Sequence, residues 1–428
     1  MGSYCELYLN SYQIDTTKSY IHPFWSCIFK ERDRVSRKVH FSEYYTEALY
    51  DADFVPTNEY CAKVSVIKKR LELLGYTLSK TIERYDIRLK EKIEEAELGL
   101  DEYPYEHLKV DLKHFKQLLA GGFSYWLGLA NEIMFDRKLN SWAIEPGQGK
   151  DDDICLWAVD NPEDMFLGFP DESYGYFLRA ALEATDDNAE LRLDITSLVH
   201  AGYYTEDESV CENTAKGHIN STREFEKIIL LTEGSSDSAI LSRSLNILYP
   251  DLVDYFSLMD FGATKSEGGS SALERTLKSF AAAGINNKII AIFDNDAAGQ
   301  SANKRLDTIS LPANIRVITL PDLDFFKKYP TIGPQGNTIE DINGRACSIE
   351  LYLGEDVLSN NGSLIPVVWK GFEPKVSAYQ GEITEKDLVQ TRFYEKLKHS
   401  EKTGEKDDEQ WHGMQSIFDL IFQTAGDM

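Results

Sequence analysis

Two textures divide this 428-residue chain. Together they predict an α+β region rich in helices, followed by an α/β domain with a mainly parallel sheet. The first observation lies in the second half. Four short apolar runs, KIILLT (227–232), DYFSLM (254–259), KIIAIF (288–293) and NIRVIT (314–319), are separated by helical segments of roughly 10–15 residues. Near-continuous Ile/Leu/Val strands alternating with helices are what a parallel sheet covered on both faces requires. The second observation is the helical spacing of the first half, where Ala62, Val66, Ile67, Leu71 and Leu74 recur three and four residues apart. The third is the polar stretch GYYTEDESVCENTAKGHINSTREFE (202–226), which has few apolar residues and reads as a linker.

In chain order, residues 1–58 read as short strands and turns, with weak alternation in CELYLN and YQID. A helical pattern over 59–96 is interrupted at Gly75, and a helical pair over 107–120 and 123–135 is hinged at Gly121 and Gly122. Residues 147–172 are acidic and rich in Gly, Pro and Asp, which predicts a surface loop. A helix (174–184) and a strand (191–198) close the region. The expected organisation is therefore an N-terminal domain over 1–201, a linker over 202–226, the α/β domain over 227–370 and a charged extension over 371–428. That extension holds one helix (385–399) and an apolar patch (417–422) suited to assembly.

Hydrophobic residues make up 42% of the chain and charged residues 27%, enough to bury a sizeable core. With 45 Lys+Arg against 71 Asp+Glu the formal net charge is −26. Long-range attraction to a polyanion is absent, which argues against a nonspecific nucleic-acid coat protein. An enzyme acting on nucleic acid remains compatible if a local basic groove, bound metal or a partner reverses the sign at the site. No apolar run approaches the ~20 residues needed to cross a bilayer. The opening MGSYCELYLN lacks a secretory pattern, and Glu6 stands where N-myristoylation wants Ser or Thr. The cysteines at 5, 27, 61, 155, 211 and 347 show no CxxC spacing, so reduced thiols and a cytoplasmic location are expected.

The chemistry concentrates at two strand ends, where open α/β sheets build their sites. IILLT runs into Glu233-Gly234-Ser235-Ser236-Asp237, and KIIAIF runs into Asp294-Asn295-Asp296, then Ala297-Ala298-Gly299. If the two strands are neighbours, Glu233 falls within a few ångströms of the Asp294/Asp296 pair. Such carboxylates repel and raise one another's pKa, and a hard divalent ion with oxygen ligands removes that penalty. The competing reading makes these residues N-caps of the helices that follow, Asp237 above all.

Glu-Gly at the end of one apolar strand, with DxD about sixty residues later at the end of another, resembles the Toprim domain. MGSYCELYLN, LTEGSSDSAILSRSLNILYP, IFDNDAAG and YPTIGPQG…GRACSIELYLG together resemble the bacterial HEPN/Toprim-associated proteins, with a Toprim domain similar to that of OLD-family nucleases. The resemblance implies that Glu233, Asp237, Asp294 and Asp296 hold or position Mg²⁺ or Mn²⁺, with Glu350 as a further acid. It implies a lysine near the scissile phosphate, for which Lys370 is the candidate, and Lys265 of GATKSEGG as a phosphate contact. Each has an alternative: a surface Glu on a short helix for Glu350, a solvated Lys after a strand for Lys370, and a simple turn around Lys265.

The implied activity is metal-dependent phosphodiester cleavage of DNA or RNA, tRNA among them, in bacterial anti-phage defence. Glu233, Asp294, Asp296 and Lys370 would be the catalytic residues, and the implied setting is a homo-oligomer or a complex with a regulatory partner such as an ATPase. There is no GxxxxGK[ST], whereas OLD-family nucleases carry their own ATPase domain. Two other readings stand beside it. One is a non-catalytic binding or assembly component with a metal-stabilised scaffold. The other is HEPN-type ribonuclease action through Arg34…His40 or Arg392…His399, whose placement outside the predicted N-terminal helices disfavours it.

Overall fold

The computed structural model describes residues 2–40, 54–102, 105–140, 152–160, 165–219, 226–259 and 268–428, about half of them helical. The chain divides into two compact units, Met1–Phe225 and Glu226–Met428.

The first unit is built on an antiparallel five-stranded sheet in the order Tyr12–Lys18, Tyr4–Leu9, Glu190–Asp194, Glu59–Lys63, Arg34–Val35. The helical spacing becomes Val64–Leu73 and Leu78–Glu102, separated at Gly75, whose φ of 97° is the left-handed conformation glycine adopts without strain. Glu106–Asn131 is one helix with a break at Gly122 (φ 67°, ψ −173°), the hinge that the Gly121-Gly122 pair predicts. Arg70, fully buried, pairs with Asp33 at 2.5 Å and donates to the Ile28 carbonyl at 2.9 Å, so a charge inside this unit is fully met. The predicted strand over 191–198 ends at Asp194, because Thr196–His200 turns into a short helix.

The stretch 202–226 corrects the linker expectation. It contains the helix Val210–Ile219, with Val210 and Cys211 fully buried, and Arg34 donates to the Glu208 carbonyl.

In the second unit the four apolar runs form one parallel sheet, in the order Ile315–Thr319, Ile289–Phe293, Ile228–Leu231, Phe256–Leu258. Every residue of the central strand Ile289–Phe293 is buried, as coverage on both faces demands. Ile289, Ala291 and Phe293 pack with Leu273, Leu277, Ala302 and Leu306 from the helices Ser270–Ala283 and Ala297–Leu306.

The segment 371–428 is an integral part of this unit rather than an appendage. The apolar patch at 417–422 lies in the helix Asp408–Asp427, with Ile417, Phe418 and Ile421 buried. Phe418 and Phe422 meet Tyr249 edge to face, and Phe422 also meets Phe256, so the patch serves the interior and not an assembly face. The predicted helix at 385–399 is Lys386–Thr403. A second, four-stranded sheet has the order Gly336–Glu340, Tyr329–Gly333, Val367–Glu373, Ala378–Ile383, its middle pair parallel. All six cysteines are free. Among the described residues no helix is long and apolar enough to cross a membrane.

Candidate functional site

The strands Ile228–Leu231 and Ile289–Phe293 are hydrogen-bonded neighbours, so their acidic ends meet. Thr232 stops the first strand: its hydroxyl donates to the Gly234 carbonyl and shares a hydrogen bond with Ser238. The chain then enters the helix Ser235–Leu248, where the Gly234 N–H donates to Asp237 Oδ2 at 3.0 Å and the Ser236 hydroxyl to Oδ1 at 3.1 Å. The N-cap is therefore Gly234 and not Asp237, which sits at the third helical position and reaches back to the cap N–H, the second half of a capping box. The glycine end of the GATKSEGG loop closes on the same spot, with the Gly269 N–H donating to the Glu233 carbonyl at 2.7 Å. Lys265 itself lies outside the described residues.

At the second strand end, the Asp294 N–H donates to Glu233 Oε1 at 3.1 Å. Residues 295–296 leave the parallel sheet to pair with Ala346–Cys347, and Asp296 caps the helix Ala297–Leu306 through the Gly299 N–H at 2.7 Å. The Gln380 amide donates to its other oxygen at 2.6 Å. Gly299 is required by proximity: a Cβ there would stand 2.2 Å from the Asp294 carbonyl oxygen.

Glu350 is fully buried, which removes the surface alternative. It accepts from Lys386 Nζ (2.9 Å), Gln390 Nε2 (2.8 Å) and the Ser348 hydroxyl (2.7 Å). Burial would raise its pKa, but Lys386 and these donors hold it below the ordinary value. Lys386, the ammonium that faces the cluster, escaped the sequence reading: it begins a helix in the charged extension, and no motif marks it. Burial works against its charge, yet Glu350, Asp294 and Asp237 raise its pKa. Lys370 is placed elsewhere. It sits exposed at an irregularity in the strand Val367–Glu373 and pairs with Glu382 at 3.4 Å.

The remaining acids are pushed up. Burial and then Asp296 raise Glu233 to about 7, and burial and then Glu350 raise Asp237 to about 6. Burial and the four other carboxylates hold Asp294 well above its usual range, while burial outweighs the hydrogen bonds to Asp296. No donor of the described residues reaches the Asp294 carboxylate. Among the described residues, no three His, Cys, Asp or Glu side chains are arranged to hold one metal ion. The acids gather as electrostatic neighbours, with Asp296 and Glu350 turned toward their own donors. An all-oxygen, anionic set of carboxylates suits a hard cation in its chemistry.

Of the two Arg/His spacings, Arg34 is committed to the Glu208 carbonyl and the Asn58 side chain, and the His40 side chain lies outside the described residues. Arg392 donates to the Ser359 carbonyl, while His399 is exposed beside Glu405.

The fold and this cluster define a two-unit α+β protein with an acidic centre at the carboxyl edge of a parallel sheet. Residues 1–217, half of the chain, match the family model described as HEPN/Toprim N-terminal domain 1, and the chain belongs to that family. The match ends before Glu233, so the acid cluster lies beyond it. Curated proteins and solved structures give no match.

Proposed function

We propose that the second unit is a Toprim-type domain and that the protein is a divalent-metal-dependent nuclease acting in bacterial anti-phage defence. One observation carries the reading: Asp294, at the end of the central strand, receives no side-chain hydrogen bond from the described residues, its N–H holds Glu233, and the charges of Glu233, Asp237, Asp296 and Glu350 all act on it. Glu233 and Asp294 would hold Mg²⁺ or Mn²⁺, while Asp237 and Asp296 shape the strand ends around them. Such an ion, when bound, lowers the pKa of its water and offsets charge on the phosphoryl group. Lys386 neutralises Glu350 and so leaves the positive charge of the ion to the other acids. Substrates are DNA or RNA phosphodiesters, with tRNA among the candidates; the setting is the cytoplasm, as a homo-oligomer or with a regulatory partner. Lys370, exposed and paired with Glu382, would contact substrate phosphate outside the cluster.

The absence of a three-carboxylate cage among the described residues favours a second reading, a non-catalytic binding component. Incubating the protein with labelled DNA and RNA in Mg²⁺, Mn²⁺ or chelator separates the two. Cleavage that needs metal and disappears in Glu233→Gln supports the nuclease; folded protein that cuts nothing with either metal supports the scaffold.

A further inference from the structure

We infer that the hairpin Val367–Glu373/Ala378–Ile383 carries a stacking platform for single-stranded nucleic acid, with Phe372 and Tyr379 as the base-facing rings. Its relation to the acid cluster rests on the nuclease reading above, whereas binding by itself needs no metal.

Phe372 and Tyr379 stand directly opposite each other in the register. Their centroids are 5.2 Å apart, edge to face at 69°, and each residue is 53% exposed. The inward residues of the same hairpin do the anchoring. Glu373 accepts from the Ser301 hydroxyl, and Gln380 donates to Asp296 and accepts from the Ala298 N–H. The other side of the ribbon anchors the hairpin, and the two rings, packed on each other, leave about half their surface to water. Exposed Lys370 and Lys375 flank them, and Lys304 Nζ donates to the Lys375 carbonyl at 3.3 Å. Two acids of the same hairpin are engaged, Glu373 by the Ser301 hydroxyl and Glu382 by Lys370 itself.

Net charge decides which contacts can work. At −26 the chain repels a polyanion at long range, so affinity has to come from contacts that act at short range and resist salt. Base stacking on aromatic rings is such a contact, and it tolerates any sequence because every base has a π-face. Tyr379 and Gln380 are successive strand residues and point to opposite sides. The platform and Asp296 therefore lie on two sides of one strand. A flexible single strand can pass around that edge; a duplex, stiff over ~150 base pairs, cannot.

The test uses the full-length protein in chelator, with fluorescein-labelled oligothymidylate, oligouridylate and a duplex, read by anisotropy. Both single strands are expected to bind more tightly than the duplex, and their ratio identifies the preferred sugar. Phe372→Ala/Tyr379→Ala should weaken binding ~10–100-fold with the salt dependence unchanged, as loss of one or two stacked bases requires. Phe372→Trp/Tyr379→Trp should retain it, and Lys370→Ala/Lys375→Ala should flatten the salt dependence. Ile339→Ala, which alters an exposed aliphatic residue on another strand, should change nothing. The platform is overturned if wild type binds no single strand, if the double alanine variant binds like wild type, or if duplex binds as tightly. It is equally overturned if that variant loses self-association in light scattering while its oligonucleotide affinity is unchanged. Aromatic-dependent binding without cleavage in Mn²⁺ keeps the platform and removes the nuclease reading; cleavage with unaltered binding by the alanine variant does the reverse.

Discussion

The backbone N–H of Asp294 holds Glu233 Oε1 at 3.1 Å, so the end of one parallel strand fixes the carboxylate at the end of its neighbour. That bond orients Glu233 while doing nothing for the charge of Asp294, which is left among four other acids. Asp294→Asn keeps the volume and the backbone donor and removes the charge. Its metal-free stability in urea should equal or exceed wild type by about 1 kcal/mol, because like-charge repulsion is relieved. Mn²⁺ should raise the melting temperature of wild type and not of the variant; equal shifts would sink the metal assignment.

The raised acids set the pH dependence. Glu233 (about 7) and Asp237 (about 6) bind protons more tightly folded than unfolded. The stability this confers is complete below their ordinary values and is lost as pH rises through the folded ones. Glu350 is lowered, so its contribution is lost only as pH falls below the carboxylate range. Metal-free protein should therefore lose stability between pH 5 and 8, with Glu233 contributing on the order of 3 kcal/mol. Glu233→Gln should flatten that slope in denaturant titrations; an unchanged slope would rule out Glu233 as its source.

Lys386 answers a fully buried glutamate. Lys386→Met leaves Glu350 charged and uncompensated and should cost on the order of 3 kcal/mol, whereas adding Glu350→Gln should recover much of it. A double-mutant cycle measures the coupling, and additive losses would show that the pair does not interact.

Gly299→Ala places a methyl 2.2 Å from the Asp294 carbonyl oxygen, so the helix start or the strand end must move. A loss of about 2 kcal/mol or more is expected from calorimetry, along with a weaker Mn²⁺ response. A variant as stable as wild type would mean that the turn is freer than its packing implies.

The His399 side chain is exposed beside Glu405, at 3.5 Å. His399→Ala should leave stability within about 0.5 kcal/mol and cleavage unchanged. His40→Ala should likewise leave cleavage intact. If either substitution abolished cleavage or cell toxicity while Glu233→Gln spared it, the HEPN-type ribonuclease reading would replace the metal-dependent one.

The sequence by itself determined the elements whose signal is local. Four Ile/Leu/Val runs are apolar enough to be strands wherever they sit, Gly75 and Gly122 break helices through their own backbone freedom, and Glu233 and Asp294 fall at strand ends because the apolar runs stop there. Helix starts are local as well, which is why Asp237 could be tied to one in advance, although the cap itself is Gly234. Tertiary structure alone decided what depends on distant partners. Strand order brought Glu233 to Asp294 across 61 residues. Burial turned Glu350 from a surface candidate into a charge that Lys386 must neutralise. Folding back of 371–428 delivered Gln380 to Asp296 and covered the patch at 417–422. A side chain's solvation and its counter-charge are set by chain returning from far away, and no local pattern encodes that return.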